Sequence, residues 1–193
     1  AKAAQAKVDA VKAELDKAVA LLKDKGNTEG LEAAKNELKT ATEATNVTDG
    51  KTTESADKYN EAKTAAEAVV KEAEGVIADV NSTTEDVANA LKKVNAAKAV
   101  LDDAKSKLVE AATADEKAKL KADSEALKKA DTRGKTPNSI DAYNTKFEAL
   151  KTQLEAAKTE AEKVLAKENN ATKEEAKAAQ AKVDAVKAEL DKA

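Results

Sequence analysis

Cysteine and histidine are both absent from this chain of 193 residues. Their absence removes thiol nucleophiles, imidazole general bases, Ser-His-Asp triads and the common Cys/His zinc sites. It does not fix the compartment, because a reducing cytoplasm and a disulfide-free cell surface both fit. Trp and Met are missing too, and aromatic residues amount to two Tyr and one Phe. A single large globular core needs bulkier material than that. One Pro and five Gly are too few turn-formers for an all-β chain cut into many short strands. No apolar run approaches the ~18 residues that a membrane span requires, and neither a signal peptide nor a sorting signal is visible, as expected of a fragment. The formal charge of −3, from 34 basic and 37 acidic residues, lacks the basic excess that nucleic-acid binding wants.

What is present is alanine, 46 residues of it, with Lys, Glu, Asp, Leu and Val. These are largely strong helix formers with thin side chains. The composition predicts an all-α fold with Ala-rich packing.

The chain repeats itself. Residues 1–18 and 176–193 are identical, AKAAQAKVDAVKAELDKA, at a spacing of 175. One full period plus an overlap is expected of a piece cut from a longer tandem array. The period has two similar halves. Gly50-Lys51-Thr52 with Ser55, Asp57 and Tyr59 recurs 84 residues on as Gly134-Lys135-Thr136 with Ser139, Asp141 and Tyr143. Further along, Val94, Lys98, Leu101 and Asp102 recur 89 residues on as Val183, Lys187, Leu190 and Asp191. The segments expected from this are 1–50, the C-terminal part of one repeat module; 51–134, a complete three-helix module; and 135–193, the N-terminal part of the next.

Apolar spacing within each half is helical. Ile140, Tyr143, Phe147, Leu150, Leu154, Ala157, Ala161 and Val164 step alternately by three and four, which is a heptad seam. Ala56, Tyr59, Lys63, Ala66, Val70, Ala73, Ile77 and Val80 take the same steps, with Lys63 interrupting where Phe147 stands. Its stem is expected to snorkel outward. Val87, Val94, Leu101 and Leu108 keep a seven-residue period, as do Val8, Leu15 and Leu22; the shorter third helices carry Leu120 with Leu127 and Leu31 with Leu38. Thr83–Asp86, Thr113–Glu116 and Thr172–Glu175 fit the capping box. Pro137 suits a first helical turn, and Gly26, after Lys23-Asp24-Lys25, reads as a left-handed helix terminator. With few flexible connectors, the expected architecture is a semi-rigid rod of tandem antiparallel three-helix bundles.

No motif rises to catalysis. Gly50-Lys51-Thr52 and Gly134-Lys135-Thr136 resemble the end of a phosphate loop, but Thr45 and Lys129 stand where its upstream Gly belongs. Asn46-Val47-Thr48, Asn81-Ser82-Thr83 and Asn170-Ala171-Thr172 match the glycosylation acceptor, yet read more simply as turns and caps. Asp102-Asp103 and Glu174-Glu175 lie within a turn of Lys and read as solvated, ion-paired faces. Tyr59 and Tyr143 read as core anchors with the hydroxyl at the rim. Arg133, the single Arg, is assigned nothing. No catalytic, cofactor or metal residue is expected, and no ligand-binding residue is singled out.

The alternating units, running from Gly-Lys-Thr-x-x-Ser-x-Asp-x-Tyr into a long helix and then through Asn-Ser-Thr-Thr-Glu-Asp-Val or Asn-Ala-Thr-Lys-Glu-Glu into Ala-Lys-x-x-Leu-Asp, resemble the streptococcal surface repeat, SSURE. The second and third helices also resemble the FIVAR modules of giant staphylococcal matrix-binding proteins. The resemblance implies a repeat region of a wall-anchored Gram-positive adhesin that attaches to host extracellular matrix. Fibronectin is the implied partner and plasminogen a second candidate. From the residues themselves, no enzymatic activity, cofactor, nucleic-acid partner or membrane insertion is expected in this stretch. The competing reading is a helical spacer that contacts no ligand.

Overall fold

The computed structural model describes residues 2–192, and it is all-α. The helices are α1 (Lys2–Ala20), α2 (Glu29–Thr42), α3 (Thr53–Ala78), α4 (Thr84–Ser106), α5 (Ala114–Ala126), α6 (Pro137–Leu165) and α7 (Lys173–Leu190), with one 3₁₀ turn at Glu168–Asn170. Two compact units divide the chain: residues 1–45 with 60–105, and residues 46–59 with 106–193.

In the second unit α5, α6 and α7 pack on one another. Their core is Leu120 and Leu127 from α5 and its end, Leu154, Ala157, Ala161 and Val164 from α6, and Ala176, Ala179, Val183 and Val186 from α7. Leu120, Leu127, Leu154, Ala157, Ala161, Val164 and Val183 are expected seam residues, and Ala176, Ala179 and Val186 join them. Ile140, Tyr143, Phe147 and Leu150 of the expected α6 seam are only half-buried. The small Ala side chains let the helices approach closely. Partner numbers give the directions. Lys146 donates to the carbonyl of Lys192 at 3.0 Å, Lys182 lies 3.7 Å from Glu160, and Lys167 pairs with Glu175. As one number rises the other falls, so α6 and α7 are antiparallel. α5 starts beside α7, with the Ala112 amide donating to the Ala171 carbonyl at 2.8 Å, and the two run the same way, Gln180 reaching Asp123 at 2.7 Å. The first turn of α3 belongs to this unit. The Glu54 amide donates to the Asn170 side chain at 2.9 Å, and the Thr52 amide to the Val109 carbonyl at 2.8 Å.

The first unit repeats the pattern. Leu31 and Leu38 of α2, Ala66, Val70 and Ala73 of α3, and Val87, Ala90, Val94 and Leu101 of α4 are buried. Lys98 of α4 pairs with Glu37 of α2, and Lys93 of α4 with Glu72 of α3 at 2.7 Å. The starts of α2 and α4 are tied by the Gly26 amide to the Ser82 carbonyl and the Thr84 amide to the Asp24 carbonyl, at 3.0 and 3.1 Å. Lys63 is half-buried, as a snorkelling stem requires.

Several local expectations meet their geometry. All three capping boxes form: Thr113 with Glu116, Thr172 with Glu175, and Thr83 with Asp86. Pro137 occupies the first turn of α6. Others are corrected. Gly26 closes no helix in a left-handed conformation; the positive-φ glycines are Gly50 at 67° and Gly134 at 76°. Gly26 is demanded by closeness instead, since a Cβ there would stand 2.4 Å from Val87 Cγ2 and 2.8 Å from the Thr83 carbonyl oxygen. Val80 does not continue the α3 seam. The helix stops at Ala78, Asp79 accepts the Asn81 amide in a tight turn, and Val80 is left exposed. Leu108 falls just beyond the end of α4 and is half-buried.

Packing is phased differently from the sequence segments. α5, at the end of the 51–134 segment, contacts α6 and α7, which belong to the segment after it. A short helix therefore packs with the two long helices that follow it in the chain. In the later outer segment α6 from Leu154 onward and α7 contribute to the core, whereas in the earlier one α1 buries no residue at all.

Candidate binding surface

α1 carries the most extensive bare apolar stripe among the described residues. Val8, Val11, Leu15, Val19 and, just past the helix, Leu21 and Leu22 are all exposed. Ala4, Val8, Val11, Leu15 and Ala18 step by four and three alternately, a heptad seam on one face of α1, and Leu22 continues the spacing in sequence just beyond the helix. Solvent-facing aliphatics in such an array make this stripe the candidate interaction surface. The same eighteen residues recur in the sequence at 176–193, where Val183 is 0% exposed against 61% for Val8. Sequence spacing identified the seam of Val8, Leu15 and Leu22; that it lies uncovered was not legible, because identical letters are covered in α7.

The concavities are modest. A cavity of about 200 Å³ lies between α3 and α4, lined by Val69, Glu72, Val76, Asp86, Asn89 and Lys93. One of about 190 Å³ sits under Tyr143 and Ile140 at the start of α6. A shallow cleft of about 570 Å³ follows α6 and α7, floored by Ala156, Ala157 and Val186 and edged by Glu160, Lys163 and Lys182. The first two fall below the few hundred Å³ usual for small-molecule sites.

Charge in this molecule does structural work. Lys167 and the Thr172 amide hold the Glu175 carboxyl below its ordinary value. Lys51, with help from Lys173, does the same to Glu110, and Lys119 and Gln180 to Asp123. The Thr83 hydroxyl and amide lower Asp86, and burial raises Tyr59. Each shifted carboxyl sits in an ion pair or a helix cap, which accounts for its perturbed titration. No cluster of three or more potential metal-ligating side chains occurs among the described residues, and no helix of the described residues is long and apolar enough to cross a membrane.

The residues flagged in the sequence are dispersed. Gly50 makes a left-handed turn, Lys51 pairs with Glu110 at 2.8 Å, and Thr52 shares a hydroxyl contact with Ser55 at 2.9 Å. Gly134-Lys135-Thr136 likewise leads into a helix. Asn46 adopts φ 60° in a turn, and Asn170 caps α3. Glu175 belongs to a cap. Tyr59 is buried at 3% exposure, while Tyr143 is half-buried, accepts the Ala130 amide at 2.7 Å and lies 6.0 Å from Phe147. Arg133 folds onto Asp131. Sequence reasoning singled out no ligand-contacting residue; the stripe on α1 is the surface it missed. Compared with known proteins, the chain matches no family model and no solved structure.

Proposed function

We propose that this chain is the repeat region of a Gram-positive cell-surface adhesin, extracellular and wall-anchored, that engages host extracellular matrix through exposed helix faces. The reading rests on the SSURE-like spelling of the repeats. Its array is a semi-rigid succession of antiparallel three-helix bundles. Fibronectin is the proposed partner, with plasminogen the second candidate. The carrying observation is the repetition itself: residues 1–18 return at 176–193, so an array of such chains presents the same outward side chains at regular intervals. Weak contacts made once per repeat then add through effective concentration. Exposed aromatic anchors are few and Arg is a single residue, so one repeat is expected to bind weakly.

The test is retention on immobilised fibronectin of this chain and of a concatemer of several copies. Apparent affinity should rise by about 10²-fold or more on concatenation. Equal affinity for both would remove the multivalent mechanism. No retention of either favours the second reading, a helical stalk that projects another domain, which the ion-paired, cavity-poor surface also accommodates.

A further inference from the structure

The structure contains one natural experiment. The same eighteen-letter sequence supplies most of α1, which buries none of its residues, and most of α7, whose Ala176, Ala179, Val183 and Val186 are buried in the core shared with α5 and α6. Val8 and Val11 correspond to Val183 and Val186, which go from 61% and 70% exposed to 0% and 7%. Ala4 corresponds to Ala179, which is fully buried.

The polar rim is duplicated as well. In α7, Gln180 donates to Asp184 at 2.8 Å within the helix and to Asp123 of α5 at 2.7 Å. Lys187 lies 3.7 Å from the same Asp123, and Lys182 lies 3.7 Å from Glu160 of α6. In α1, Gln5 already donates to Asp9 at 2.9 Å, which is the same internal latch. Lys7 and Lys12 stand where Lys182 and Lys187 stand. What α1 lacks is an Asp123 and a Glu160 to meet.

From this we propose that the bare face of α1 is a docking surface for a second copy of this chain, entering that copy's α5·α6 groove in the register of α7. Apolar knobs and charge pattern are both matched, because they are the same residues. The acceptor groove and the donor helix are different surfaces, so the contact is heterologous and joins copies head to tail. α7 is tethered to α6 by the short segment Ala166–Thr172, which holds it at an effective concentration on the order of mM. A second copy's α1 therefore enters only where α7 has left. The proposal is independent of any matrix partner.

The experiment is sedimentation velocity on full-length variants over a range of concentrations. Wild type is expected to stay monomeric at micromolar concentration. Val183→Asp unseats α7 and opens the groove, and its weight-average mass should climb with concentration past the dimer. The double variant Val183→Asp with Val8→Asp should return to monomer, and excess wild type mixed with Val183→Asp should halt growth at one-to-one complexes. Identical behaviour of the single and double variants would overturn the proposal. So would a wild-type dimer abolished by Val8→Asp alone, which would mean that two α1 helices pair with each other. Should Val183→Asp loosen α5 and α6, a peptide of residues 2–18 added to the double variant should bind saturably and restore its helical melting transition. A peptide carrying Val8→Asp should do neither, and failure of the unaltered peptide to bind would equally overturn the docking.

Discussion

Gly26 and Ala112 hold matching places in the two units, and their differences compensate. The Gly26 amide meets the Ser82 carbonyl as the Ala112 amide meets that of Ala171. In the first unit the facing side chain is Val87, whose Cγ2 would lie 2.4 Å from a Cβ on residue 26. In the second the residue 89 places on from Val87 is Ala176, and a methyl at 112 is accommodated. Glycine with valine, or alanine with alanine, fills the same space. Gly26→Ala is accordingly expected to cost about 1–3 kcal/mol by overpacking. Combined with Val87→Ala it should cost less than the two single changes summed, a coupling readable from denaturant unfolding in a double-mutant cycle. Gly30→Ala is the control, since nothing lies within 4 Å of a Cβ there, and it should be neutral or stabilising by up to ~1 kcal/mol. Additive costs at 26 and 87 would mean that contact with the Thr83 backbone, not Val87, sets the requirement for glycine.

Helix starts are where the sequence was most readable. Thr-x-x-acid spells a reciprocal pair of hydrogen bonds that needs no tertiary partner, and Thr172 with Glu175 makes both, each at 3.1 Å. Thr172→Ala should cost about 1 kcal/mol of stability by denaturant unfolding. The cap also titrates. Lys167 and the Thr172 amide lower the folded pKa of Glu175, so below its ordinary value of 4.5 the unfolded chain takes up protons more readily than the folded one. This contribution is intact above 4.5 and lost as pH falls through the lower folded value. Glu116 and Asp86 are lowered by their own caps and act in the same direction. Acid melts monitored by circular dichroism should show Glu175→Gln less stable at neutral pH, with a shallower further loss on acidification. Parallel acid profiles for wild type and variant would show that the ion pair and cap are not felt in solution. Helix ends were less legible than starts: the seven-residue spacing ran on through Val80, but the Asp79 turn ends α3 first.

At the scale of the molecule, periodicity established helices, seams and the all-α class, because each depends on residues within a turn or two. Partner choice depends on which faces the chain can bring together, and the seven-residue code is nearly the same in every helix. Leu31, Leu38, Leu120 and Leu127, the third-helix anchors of the apolar spacing, are all buried, yet α5 joins the helices that follow it. α1 carries the point furthest, since eighteen letters shared with α7 produce opposite environments. Burial is therefore a property of place rather than of sequence here, and a matched pair of substitutions measures it. Val183→Ala deletes two methyl groups from a fully buried site and should lower stability by about 1–3 kcal/mol. Val8→Ala, the same change in the same local sequence, should stay within about 0.5 kcal/mol, with any shift towards stability because Ala is the better helix former. Denaturant unfolding of the two variants at low protein concentration decides it. Equal losses at both positions would mean that α1 finds a partner face within its own molecule in solution.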